Sequence, residues 1–266
     1  ALLPRTSTAE SVSLPPAEPP SRASVAAPLP TTPGASAGPV AERARSSVEC
    51  VAGSRRVRVW IAGDSMSAVF GRALTQAANR SGAFRAGYES RHSTGLTRPD
   101  LFDWAGRVEE VEAQQRPDVS VFVFGANDSE RLEYQRRAVS IGSAEWAIAY
   151  ASRVARVMAA ATSGGRRALW VGMPAMRSES LSRNMLVLNR VFRAEAARHP
   201  GVTFVDAWEL FSAPEGAYAP YLPDEAGVPR LVRESDGVHY TRDGAERLTE
   251  RVLSLLPRAC GESPPR

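Results

Sequence analysis

Three short motifs stand in one order along the chain: Gly63-Asp64-Ser65, Gly125-Ala126-Asn127-Asp128 and Asp236-Gly237-Val238-His239. Together they hold a hydroxyl nucleophile, a neutral amide donor, and a carboxylate three residues before an imidazole. That set suits attack on an ester carbonyl. Ser65 would attack, His239 would take its proton, and Asp236 would hold the imidazole in the productive tautomer. Asn127 can donate its side-chain N–H to the oxyanion that forms, and the backbone N–H of Ser65 can donate beside it. Gly95, in Ser93-Thr94-Gly95-Leu96, is a further candidate donor, because glycine allows a close backbone approach. Each has a plainer reading: Ser65 as a helix N-cap, Asn127 and Asp236 as turn residues, Gly95 as an ordinary loop glycine. All three motifs coincide by chance on the order of once in a thousand chains of this length, at average residue frequencies.

The surrounding pattern positions these groups. Val57 to Ala62 and Asp118 to Phe124 are apolar runs that read as buried strands, each ending at a motif. Further strands are expected at 84–92, 167–173 and 202–206, and helices at 67–78, 100–114, 145–161, 181–197 and 243–256. Strands alternating with helices call for a five-stranded parallel sheet covered on both faces, an α/β/α sandwich. Ligands of such sheets bind beyond the carboxyl ends of the strands. Ser65 and Asn127 lie just past those ends, and Asp236 and His239 precede a final helix that must begin on the same side.

The chain has 266 residues with 43% hydrophobic content, enough for one substantial domain. Its net charge is +4 and all its basic residues are arginine, interleaved with acids as in Arg107-Val108-Glu109-Glu110. This is not the clustered charge of a nucleic-acid reader, and no nucleic-acid partner is expected. No stretch of 18 apolar residues is present to span a membrane. Residues 1–46 hold nine of the twenty prolines and no aromatic, so a linker without a core is expected there. A domain over 47–260 and a short tail over 261–266 follow. The chain starts at Ala1, and with the linker this points to an upstream signal peptide or membrane tether and to an extracytoplasmic location. Cys50 precedes the first strand and Cys260 follows the last helix, so both fall at the sheet edge opposite the motifs. A disulfide between them is expected in an oxidising compartment. None of the three histidines pairs with another His or a Cys at a metal-ligand spacing, and neither metal nor cofactor is expected.

Ser65, Gly95, Asn127 and His239 stand in the order and context of the four signature residues of the SGNH (GDSL-type) hydrolase superfamily. The chain resembles that superfamily over roughly residues 57–258. Further stretches resemble a bacterial, envelope-associated branch of it: Ser93 to Asp100, Asp103-Trp104, Gly142 to Trp146, Gly172 to Arg177, and Asp236 to Thr241. Met66 stands where Leu often follows the first motif, a swap of similar volume. The resemblance implies a flavodoxin-like sheet and a metal-free serine mechanism on O-acyl esters.

Substrate choice is less legible. Ser212 to Ser235 has no periodic pattern and reads as a long loop at the active edge. Its Tyr218 and Tyr221 could stack on a sugar, and Arg230 and Arg233 could hold an anionic group. His92, ending the second strand, is a candidate lining residue, with packing or solvent exposure as the alternative. The expected activity is a serine esterase, or an O-acyltransferase, acting on an acylated envelope carbohydrate. A lipase- or thioesterase-like hydrolase and a non-catalytic wall-polymer-binding domain are the alternatives.

Overall fold

The computed structural model describes Val51 and residues 56–260. The linker over 1–46, Cys50 and the tail over 261–266 lie outside the described residues.

Five parallel strands form the central sheet: β1 (Val57–Gly63), β2 (Phe84–Ser90), β3 (Val119–Val123), β6 (Arg167–Val171) and β7 (Val202–Val205). Their order is β2-β1-β3-β6-β7. Every residue of β3, the middle strand, is buried, and so is nearly all of β1. A parallel strand covered on both faces has no polar side to show, which is why these two read as continuous apolar runs. The sheet carries helices α1 (Ser67–Arg80), α2 (Trp104–Gln114), α3 (Ala144–Thr162), α4 (Glu179–Arg198) and α6 (Arg242–Leu253). Aromatic rings fill the core around β3: Phe122 meets Trp60 and Trp170, and Trp170 meets Phe192 at 5.3 Å between centroids.

Helix starts follow their side-chain caps. Asp103 accepts from the Gly106 amide, so α2 begins at Trp104 rather than at residue 100. Ser143, Ser178 and Thr241 cap α3, α4 and α6 in the same way. Helices α1 and α6 pack side by side. That packing brings the start of α6, just after His239, to the start of α1, just after Ser65.

Two hairpins had no expectation. One is β4 (Leu132–Tyr134) with β5 (Arg137–Val139). The other, β8 (Tyr221–Pro223) with β9 (Pro229–Leu231), lies with the short helix α5 (Ala207–Phe211) between β7 and α6. The segment from Ser212 to Ser235 is therefore not a plain loop. Its turn is closed by Asp224, whose carboxylate accepts the amides of Ala226 and Val228, and by Gly227 at φ +79°. Arg247 of α6 ties the region down through the carbonyls of Leu210 and Pro223.

Candidate active site

The order β2-β1-β3 places a topological switch point between β1 and β3, where such sheets bind ligands. Gly63, the last residue of β1, lies level with Val123 of β3 and Ser90 of β2. The next residues of each strand therefore emerge on one rim. An added Cβ on Gly63 would stand 2.0 Å from the Val123 carbonyl oxygen, so only glycine fits this exit.

Ser65 follows in the turn before α1. It does not cap the helix; its Oγ lies 2.8 Å from His239 Nε2. His239 Nδ1 lies 2.6 Å from Asp236 Oδ2. A carboxylate only accepts, so the ring proton sits on Nδ1 and leaves Nε2 to accept from the serine hydroxyl. The other Asp236 oxygen accepts the amides of Val238 at 2.7 Å and His239 at 3.0 Å. Burial alone would raise this carboxyl. The imidazole and the two amides outweigh it and hold Asp236 down at about 2. The turn requires Gly237, at φ +75° with Arg177 packed against it.

Asn127 donates one Nδ2 hydrogen to the Thr94 carbonyl at 2.9 Å, which leaves the second hydrogen for a ligand. The same bond ties the Asn127 turn to the segment carrying Gly95. Among the described residues, no protein acceptor takes the backbone amide of Ser65 or Gly95. The two amides and the second Asn127 hydrogen are thus left without a protein acceptor among the described residues.

Two carboxylates within the motifs, to which the sequence reading gives no role, organise this rim. Asp64 is fully buried and accepts three amides: Met66 at 2.8 Å, Gly125 at 3.0 Å and Ala126 at 3.1 Å. It joins the serine turn to the asparagine turn. Burial pushes its carboxyl up to about 7; the charge of Asp128 adds to this, and the three amides oppose it. Asp128, equally buried, accepts the amide and hydroxyl of Thr97 and the Tyr150 hydroxyl at 2.6 Å. Burial raises it as well, against those hydrogen bonds. Thr97 is two residues past Gly95, so Asp128 anchors the loop that presents the Gly95 amide.

The five residues expected to touch substrate divide. Arg233 is 1% exposed, and its guanidinium donates to the carbonyls of Ala175 and Val238. It is an internal brace with no free face for a ligand, which corrects the expectation. Arg230 is tied to Asp224 at 2.9 Å, across its own hairpin. Tyr218 lies half-buried against the guanidinium groups of Arg177 and Arg233. Tyr221 is 59% exposed and pairs across the hairpin with Leu231. His92 is exposed, just past the point where the Arg91 amide bonds the Gly63 carbonyl.

In architecture, the domain has the fold of the GDSL-type (SGNH) hydrolases, as three solved structures make plain. TesA is 20% identical, with a TM-score of 0.53, covering 75% of this chain and 97% of its own. A GDSL-like lipase from Bacteroides thetaiotaomicron is 14% identical, with a TM-score of 0.53 and coverages of 76% and 91%. A catalytic mutant of Axe2, an acetylxylan esterase from Geobacillus stearothermophilus, is 16% identical, with a TM-score of 0.54 and coverages of 78% and 97%. No curated protein matches the chain in sequence. The chain belongs to the family described as "Protein of unknown function (DUF459)", which it matches over residues 58–255.

Proposed function

We propose that this protein is a serine esterase or O-acyltransferase that works through an acyl-enzyme on an acylated carbohydrate of the cell envelope. The observation that carries the reading is the unbroken relay from Ser65 Oγ through His239 to Asp236, at 2.8 and 2.6 Å. Ser65 Oγ attacks the ester carbonyl carbon as His239 Nε2 takes its proton, and Asp236 stabilises the imidazolium. The carbonyl oxygen becomes an oxyanion facing the amides of Ser65 and Gly95 and the free hydrogen of Asn127. Collapse expels the alcohol, which takes the proton from His239 and leaves an acyl group on Ser65. Water or a sugar hydroxyl then gives its proton to His239 and attacks the acyl-enzyme, and Ser65 is regenerated.

The carbohydrate reading is supported by the openness of the site. The side chains of His239 and Asp236 keep 37% and 49% exposure, which suits an acyl group on a bulky polymer. The fold shared with an acetylxylan esterase agrees with it. The extracytoplasmic setting is supported by the proline-rich sequence of residues 1–46. No helix among the described residues is long and apolar enough to cross a membrane.

The test is turnover of acetyl and long-chain aryl esters and of acetylated oligosaccharides, with and without a sugar acceptor, read by mass spectrometry. Acetyl esters should be preferred, a fluorophosphonate should label Ser65, and Ser65→Ala should abolish both. Activity surviving in Ser65→Ala would defeat the mechanism. Preference for long acyl chains would defeat the carbohydrate reading.

A further inference from the structure

We infer that Arg177 and Arg233 form a reciprocal clamp that positions Asp236 and His239, with Tyr218 as its shared platform. The two arginines donate across one seam in opposite directions. Arg177, in the segment between β6 and α4, sends Nη1 to the Ser235 carbonyl at 2.6 Å and its own amide to the Gly237 carbonyl at 3.1 Å. Arg233, in the segment after β9, sends Nη1 back to the Ala175 carbonyl at 2.9 Å. Its Nη2 reaches the Val238 carbonyl at 2.6 Å and the Met176 sulfur at 3.1 Å. The carbonyls of Ser235, Gly237 and Val238 are thereby all held, and these residues flank Asp236 and lead into His239.

Asp236 to His239 belong to no strand or helix; the isolated bridge between Arg233 and Tyr240 and the Glu234 amide on the His239 carbonyl at 2.8 Å close the turn at its base, and the two arginines fasten it to the segment between β6 and α4. Inside that turn, Gly237 packs so closely that an added Cβ would stand 2.3 Å from the Arg177 Cβ. Both cations sit against the Tyr218 ring, the Arg177 guanidinium 5.7 Å and that of Arg233 5.6 Å from its centroid. Its hydroxyl is 3.5 Å from Arg177 Nη2. No carboxylate hydrogen-bonds Arg233 among the described residues, although it is 1% exposed. Burying a cation on carbonyls, a thioether sulfur and the rings of Tyr218 and Tyr240, with no hydrogen-bonded carboxylate, is expensive, and an apolar side chain would pack the same space more cheaply. What the arginine adds is direction: fixed donors aimed at the backbone around the acid and the base. Arg177 and Arg233 are thus positioning residues that act through Asp236 and His239.

This inference rests on the esterase reading, and its test separates the two. Arg177→Met keeps the aliphatic contact with Gly237 and the backbone amide on the Gly237 carbonyl, and removes the guanidinium donors. In the full chain it should lower kcat about tenfold to a hundredfold, as expected of a displacement near 1 Å, with KM within twofold. Fluorophosphonate labelling of Ser65 should slow by the same factor. The downfield proton resonance of the His239 Nδ1–Asp236 hydrogen bond, assigned by its loss in Asp236→Asn, should broaden or shift. Arg233→Met should do the same or fail to fold, so Arg177→Met decides. A variant with wild-type kcat, labelling rate and resonance, whatever its Tm, overturns the clamp. A wild-type protein that turns over no ester and labels nowhere overturns the esterase reading, and the resonance alone then judges the clamp.

Discussion

Replacing Gly95 by alanine should strike stability and turnover together, and the structure sets the size of both effects. A Cβ on Gly95 would stand 2.2 Å from Asp128 Oδ1 and 2.9 Å from its Cγ. Ordinary van der Waals contact begins near 3.4 Å, so something must move by about 1 Å. Asp128 is poorly placed to yield, because Oδ1 holds the amide and hydroxyl of Thr97 and Oδ2 holds the Tyr150 hydroxyl. If the loop yields, the overpacking costs about 1–3 kcal/mol. If the carboxylate yields, each hydrogen bond lost to it costs about 1.5–3 kcal/mol. A total of about 2–4 kcal/mol corresponds to a drop in Tm of roughly 5–15 °C for a domain of this size. Because the Gly95 amide moves with the loop, kcat should fall about a hundred- to a thousandfold. A double-mutant cycle isolates the cause: in an Asp128→Ala background the colliding oxygen is gone, and Gly95→Ala should cost at least about 1 kcal/mol less than in the wild type. Wild-type Tm and kcat in Gly95→Ala, or a strictly additive cycle, would refute the reasoning.

Asn127→Ala should keep the acyl-enzyme route but slow it about a hundred- to a thousandfold, and an unchanged kcat removes Asn127 from the oxyanion site. Asp236, held at about 2 against 3.8 when unperturbed, favours the native state above about pH 4, and this contribution is lost as pH falls through 2. The Tm advantage of wild type over Asp236→Asn should therefore be present at pH 7 and fade toward pH 2; a gap constant over that range contradicts the assignment. Val51, which follows Cys50, is bridged to Ala259, which precedes Cys260. A Cys50–Cys260 bond made in an oxidising compartment would close about 210 residues and stabilise by roughly 5 kcal/mol on chain entropy. Thiol titration of unreduced, denatured protein should find no free thiol, and two free thiols would rule the bond out.

What the sequence made legible, and what it hid, divides by the range of the interactions. Strands β1, β3 and β6 were readable because burial on both faces leaves local apolar runs, as in Val119–Val123, whereas β2 and β7, less buried at the sheet edges, were placed by their alternation with helices. The hairpins were not, because three residues cannot display a period and most of theirs face solvent. Ser65 and Asn127 could be assigned to one rim because each follows the carboxyl end of a strand, and Asp236 and His239 because they precede the last helix, which starts on that rim. Asp64 and Asp128 stood in the same motifs, yet their partners come from elsewhere: the Gly125 amide is 61 residues from Asp64, and Thr97 is 31 from Asp128. Arg233 shows the limit most clearly. In a polar segment beside the active edge, an arginine reads as a ligand for anions. Whether it faces solvent or backbone depends on where acceptors lie, and the carbonyl of Ala175, 58 residues away, has no mark in the sequence. A buried carboxylate or guanidinium is placed by backbone groups that every residue carries, and residue type alone cannot reveal which of them converge.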